Sequence, residues 1–211
     1  MAAYGRPSLR DLFDESPTPH IAHPPRTHHR DFYLATDGSF RESGGGLGAV
    51  IETRDGQRVA RRSLTDEAPD NNVAEYRALH LGLDLLADRV PPGARVGVLV
   101  DHDDLAANVN RAVIAAGQPT AGPPHPFRVP RATRYHWRGI RARVAGFPDL
   151  RAARIDSREN PAHPLANTPD QYAHVNQEAD RCLLPPSGRR ESEEQFPPPS
   201  RSNRRRDTAS D

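Results

Sequence analysis

The stretch "FYLATDGSF", Phe32 to Phe40, reads as a buried strand closed by an acid, Asp37, with Gly38 and Ser39 immediately behind it. An apolar run that breaks at turn residues is the pattern of a strand covered on both faces. The following residues, "GGGLGAVIETRDGQRVARRSL" from Gly44 to Leu64, read as two more strands joined at Arg54, Asp55, Gly56 and Gln57. Asp-Gly between extended runs is a hairpin signal, so the fold opens with an antiparallel meander.

Helical spacing then takes over. Asn71 and Asn72 offer an N-cap, and Tyr76, Leu79, Leu83, Leu86 and Val90 repeat along one face until "PPG" ends the run. Residues 95–100 read as a short buried strand, and Leu105, Val109 and Val113 sit four apart on the next helix. Further on, Trp137, Ile140, Val144 and Phe147 mark another helix, "LRAARID" a final strand, and "HVNQEADRCLL" a last short helix. Between the last two lies a long loop, "SRENPAHPLANTPDQYA", of the kind that often carries function. Strand and helix alternating after a meander imply an α/β fold with a mixed sheet, a right-handed crossover and helices on the faces.

The chain of 211 residues has room for one such domain with residues to spare. Its 22 prolines concentrate outside the periodic segments, so residues 1–30 and 185–211 read as disordered tails too poor in large apolar groups to repay their ordering entropy. The domain then runs over residues 31–184, with a proline-rich insert at about 117–131. Net charge is only +1, so a nucleic-acid surface would have to be a local patch. Every basic residue is arginine. A single cysteine, Cys182, excludes an internal disulfide, and no apolar stretch is long enough to span a bilayer or to serve as a secretion signal. The expectation is a cytoplasmic, monomeric protein that does not engage membranes.

Four acids come from four separated segments. Asp37 and Asp101 close two strands which, if parallel neighbours, deliver their carboxylates to one sheet edge about 5 Å apart. That edge is where the antiparallel and parallel parts of the sheet meet, the usual place for a ligand. Glu75 lies on the first turns of the long helix, leaning toward the buried face, and Asp180 lies in the last helix with Asn176 as its N-cap. With no lysine and only scattered arginines to neutralise them, such a set calls for a hard divalent cation with oxygen ligands, magnesium or manganese.

The segments "TDGS" (36–39), "GGGLGAVI" (44–51), "NNVAEYRAL" (71–79), "VLVD" (98–101) and "NQEAD" (176–180), in this order, resemble the ribonuclease H type 1 family over roughly residues 31–184. The resemblance implies a ribonuclease H-like three-layer fold whose five-stranded mixed sheet has the order 3-2-1-4-5. It implies a two-metal endonuclease that cuts the RNA strand of an RNA/DNA hybrid, with Asp37, Glu75, Asp101 and Asp180 holding two Mg2+ or Mn2+ ions. It further implies substrate contacts from Gly38, Ser39, Asn71 and Asn72, and a loop histidine assisting proton transfer or product release. His163 and His174 are both candidates. The family pattern has a serine after the third acid, and here His102 follows Asp101, so Asp103 and Asp104 stand as alternatives for that acid. The competing reading is a non-catalytic module of the same fold that binds nucleic acid or protein, and it would go with an Asp101 turned away from the other acids.

Overall fold

The computed structural model describes residues 6–42, 44–117, 126–147, 149–181 and 183. Strand β1 (Phe32–Ser39) pairs antiparallel with β2 (Gly45–Thr53), and β2 with β3 (Arg58–Asp66). Helix α2 (Asn71–Ala87) crosses over to β4 (Arg95–Val100), which lies parallel to β1, and β5 (Asp149–Arg154) lies parallel to β4. The sheet order is β3-β2-β1-β4-β5, as the resemblance implies.

β1 is buried along its whole length because both of its faces are covered. Phe32 and Leu34 point into a core shared with α2, α3 (Asp103–Gly117) and α4 (Arg134–Ala145), while Tyr33 and Ala35 point into a second core on the opposite face. Alternate side chains thus feed two layers, which is why the strand reads as a continuous apolar run. None of the helices among the described residues is long and apolar enough to cross a membrane.

Three expectations change. First, the stretch assigned to a tail at residues 1–30 contributes helix α1 (Leu9–Glu15), which buries Leu9, Leu12 and Phe13 in the second core. Ser8 and Asp11 form a reciprocal capping box at its start. Second, the N-cap of α2 is Asp70, whose Oδ1 accepts from Val73 N–H at 2.9 Å, and Asn71 and Asn72 are the first helical residues. Third, the long loop and last helix are replaced by α5 (His163–Asn167), α6 (Pro169–Tyr172) and a 3-10 turn (Ala173–Gln177), after which residues 178–181 are not helical. Glu178 pairs with Arg61, Asp180 with Arg62, and Arg181 N–H donates to Val59 O at 2.8 Å. These bonds draw the segment along β3, where helical φ/ψ would break them. Within the proline-rich insert, residues 118–125 lie outside the described set. Phe127, just beyond them, packs on Trp137 with ring centroids 5.3 Å apart. The C-terminal tail expected at residues 185–211 also lies outside the described residues.

Candidate active site

The parallel pairing of β1 with β4 sets Ala35 opposite Leu99, and the same register carried two residues on sets Asp37 opposite Asp101. Glu75 joins them because α2 lies directly against the end of β1. A Cβ on Gly38 would come within 2.2 Å of the Ala74 carbonyl carbon, so only glycine allows that approach. The result is a triad, Asp37, Glu75 and Asp101, with one oxygen from each lying within 4.8 Å of the others. Asp101, rather than Asp103 or Asp104, lies with the other two acids; Asp103 and Asp104 face Arg154 at 2.8 Å and Arg128 at 4.0 Å.

The electrostatics of the triad are strained. Asp37 and Glu75 are each 2 % exposed. Burial, and then the neighbouring Asp101 carboxylate, push the Asp37 carboxyl up to about 8. The same two causes, with Asp37 added, push Glu75 up to about 10, although the Gly38 N–H favours its charged form. Glu75 Oε2 is buried without a hydrogen-bond partner, and among the described residues no arginine forms an ion pair with any of the three acids. In a chain with 29 basic residues, an unneutralised acid cluster with an orphaned oxygen is a donor set suited to a hard cation.

Asp180 is not part of this cluster. It sits beyond the far end of α2, held by Arg62 and by Arg89, whose Nη2 lies 3.0 Å from Oδ2. The 14 positions from Glu75 to Arg89 amount to about 20 Å along a helix axis. Burial acts to raise the Asp180 carboxyl, but hydrogen bonds from the two arginines outweigh it and hold the group below its ordinary value. Asn176, expected to cap a helix around Asp180, instead exchanges hydrogen bonds with the Ser63 backbone at 2.7 and 3.0 Å. The motif match at "NQEAD" thus identified a structural ion pair.

The fourth group at the triad is His163. Its Nδ1 lies 3.3 Å from Asp37 Oδ2, and its side chain is 43 % exposed. Asn160 aims it: the Asn160 amide donates to Thr36 O at 2.9 Å, and its Oδ1 accepts from Ala162 N–H at 3.0 Å. Asn167 completes the setting, donating to the His163 ring and accepting from Arg41 at 3.0 Å. Sequence reasoning left this histidine and His174 as alternatives, and His174 stacks on Tyr172 in the following turn; it overlooked Asn160 and Asn167. The signal available for them was their spacing of three and four residues from His163.

The residues expected to touch substrate divide into two groups. Ser39 Oγ donates to Ala166 O at 2.7 Å and accepts from Gly46 N–H at 3.1 Å, so it fastens α5 to the sheet, and Gly38 is a packing position. Asn71 and Asn72 are exposed beside the triad. His102, overlooked in the sequence, caps α3: its Nδ1 accepts from Leu105 N–H at 3.2 Å, which leaves Nε2–H to donate to Asn72 Oδ1 at 2.8 Å.

No family model matches the chain, and no curated protein matches it. Among solved structures it is similar to the N-terminal RNase H domain of a Mycobacterium tuberculosis protein, with 23% identity, coverage of 64% of this chain and 95% of that one, and TM-score 0.49. RNase H1 from the halophilic archaeon Halobacterium salinarum gives 23% identity, 67% and 98% coverage, and TM-score 0.49. The foamy viral protease-reverse transcriptase in complex with an RNA/DNA hybrid gives 16% identity, 75% and 23% coverage, and TM-score 0.51. At these identities the likeness speaks to architecture, and with the strand order and crossover above it identifies the chain as having the ribonuclease H fold.

Proposed function

We propose that this protein is a divalent-metal-dependent endonuclease that hydrolyses the RNA strand of RNA/DNA hybrids. The observation that carries the reading is the cluster of buried Asp37 and Glu75 with half-buried Asp101 at the carboxyl edge of β1 and β4, which no arginine among the described residues neutralises. Asp101 joins the other two acids, which favours a catalyst over a module that only binds. These three residues would hold magnesium or manganese, two ions in the reading that the resemblance implies, with His163 rather than a fourth acid on the Asp37 side. Such ions supply a hydroxide nucleophile from bound water at neutral pH and neutralise the charge of the phosphodiester.

The chain's own residues set the rest. Burial of Asp37 and Glu75 fixes the carboxylates against the sheet edge so that little reorganisation is needed at the moment of reaction. His163 Nδ1 faces Asp37 while the ring reaches solvent, so it can pass a proton between the site and bulk water. Asn71 and Asn72, at the open end of α2, have the amide groups to read 2′-hydroxyls in a minor groove. The test is cleavage of a labelled RNA/DNA hybrid with Mg2+ or Mn2+, beside single- and double-stranded RNA and DNA and the Asp37→Asn variant. Hybrid-only, metal-dependent cleavage lost in the variant supports the reading; a folded protein that binds the hybrid and cuts it with neither ion overturns it.

A further inference from the structure

Residues 105–148 contain no aspartate or glutamate and seven arginines, in a chain of net charge +1. Three of the seven have polar partners: Arg111 is turned inward onto Asn108 and His20, Arg143 pairs with Asp84 at 2.6 Å, and Arg128 reaches Asp104 at 4.0 Å. The other four, Arg131, Arg134, Arg138 and Arg141, are exposed, and among the described residues no carboxylate stands within 4.0 Å of them. Positions 134, 138 and 141 follow the four-then-three spacing of one helix stripe. Aromatic surface accompanies it: the Arg141 guanidinium lies 5.4 Å over the Phe127 ring, and Tyr135 is 75% exposed.

The placement of α4 ties this stripe to the triad. α4 runs beside α2 in the same sense, with Trp137 against Tyr76, His136 against His80 and Arg143 against Asp84. Tyr76 is the residue after Glu75, so the Arg134 end of the stripe is the end nearest the acids. From Arg134 to Arg141 the helix rises about 10 Å, close to the axial span of three phosphate steps of one strand at about 3.4 Å each. Like charges set this close repel one another and attract a polyanion, and guanidinium forks match phosphate oxygens.

We propose that Arg131, Arg134, Arg138 and Arg141 bind the phosphate backbone of the hybrid whose scissile phosphate lies at the acids, an inference that rests on the hydrolase reading above. The arginines meet phosphate oxygens, so they position the duplex without reading its sequence.

The test uses the full chain carrying Asp37→Asn, which should bind hybrid without cutting it, and measures affinity across a salt series with Mg2+ present. Adding Arg134→Gln, Arg138→Gln and Arg141→Gln should weaken binding at low salt by roughly tenfold or more and lower the salt slope by about one for each phosphate no longer neutralised. In the active background the same triple change should raise KM while kcat at saturating hybrid is kept. Arg10→Gln, on the opposite face of the sheet, is the control. Because Arg141 packs on Phe127, the Arg134→Gln/Arg138→Gln double variant is measured in parallel, with thermal unfolding as a check on folding. Unchanged affinity and slope in both variants, with an Asp37→Asn parent that binds and an unsubstituted chain that cuts, overturn the stripe and leave the hydrolase reading intact. A parent that neither binds nor cuts hybrid overturns both.

Discussion

Among the described residues no arginine forms an ion pair with Asp37, Glu75 or Asp101, whereas Asp180, about 20 Å away along α2, is held by two. All four acids occupy motif positions. What separates them is compensation. Asp180 carries its counter-charge within the fold, which favours its ionised form, while among the described residues the triad has no arginine partner and burial favours the protonated forms of Asp37 and Glu75. On the proposed reading, the missing ion-pair partner separates the catalytic acids from Asp180, which the motif alone does not do.

The largest effect should be catalytic. Asp37→Asn and Asp101→Asn are each expected to lower metal-dependent hybrid cleavage by more than about 100-fold, beyond the loss that follows removal of a group hydrogen-bonded to a metal ligand. Asp180→Asn should leave kcat/KM within a few-fold of the parent. Equal losses at Asp37 and Asp180 in single-turnover cleavage would break the comparison.

The two regions should also respond to pH with opposite signs. Asp37 and Glu75 have folded pKa values of about 8 and about 10, above their ordinary values of 3.8 and 4.5. Between those limits the folded state keeps protons that the unfolded state has released, so stability without metal is highest in acid and falls as pH rises toward 8 and beyond. Asp180 is shifted down, so the stability it contributes is present above its ordinary pKa of 3.8 and lost as pH falls toward its lower folded value. Thermal unfolding with a chelator from pH 5 to 9 should show a declining Tm, and Mg2+ or Mn2+ should reverse the decline most strongly at the alkaline end. Glu75→Gln should flatten the metal-free profile. A level profile in the parent would show that the triad is already compensated.

How much of this was legible follows the same physics. The mixed sheet, the crossover and the meeting of Asp37 with Asp101 at one edge could be read because β1 is apolar on both faces and its acid falls where the apolar run stops, while the strand order came from the family resemblance. The docking of α1 was hidden by its setting: Leu9, Leu12 and Phe13 lie in a helix of seven residues beside a proline-rich stretch, too short for periodicity to stand out, although the Ser8 and Asp11 capping pair was visible. The true setting of Asp180 was not legible, because the partners that decide it, Arg62 and Arg89, are 118 and 91 positions away. His163 was legible as a loop histidine but not as a neighbour of Asp37, since Asn160, which aims it, acts through the Thr36 carbonyl 124 positions earlier.

His163 sharpens the comparison further, because it brings a nitrogen to a site otherwise made of oxygens. Imidazole favours later and softer divalent ions than carboxylate does, and along the divalent series affinity rises from manganese onward. Manganese is therefore expected to support cleavage better than magnesium. His163→Asp should narrow the ratio of Mn2+- to Mg2+-dependent kcat by roughly tenfold, the scale on which groups near a metal tune its activity. An unchanged ratio would mean that His163 serves proton transfer alone.

The smallest effect tests the other side. Asp180→Asn keeps the shape of the side chain but leaves Arg62 and Arg89 sharing a neutral amide, so two charge-assisted hydrogen-bond sets become weaker ones. All three side chains retain some exposure to water, at 12%, 20% and 26%, which screens the loss. The expected cost is about 1 kcal/mol, or about 2–4 °C in Tm for a chain of this size. The paired arginines also hold residues 178–181 along β3, so proteolysis C-terminal to α6 should quicken in step with the drop in Tm. Loss of cleavage with Tm unchanged would instead give Asp180 a catalytic part that its distance from the triad does not explain.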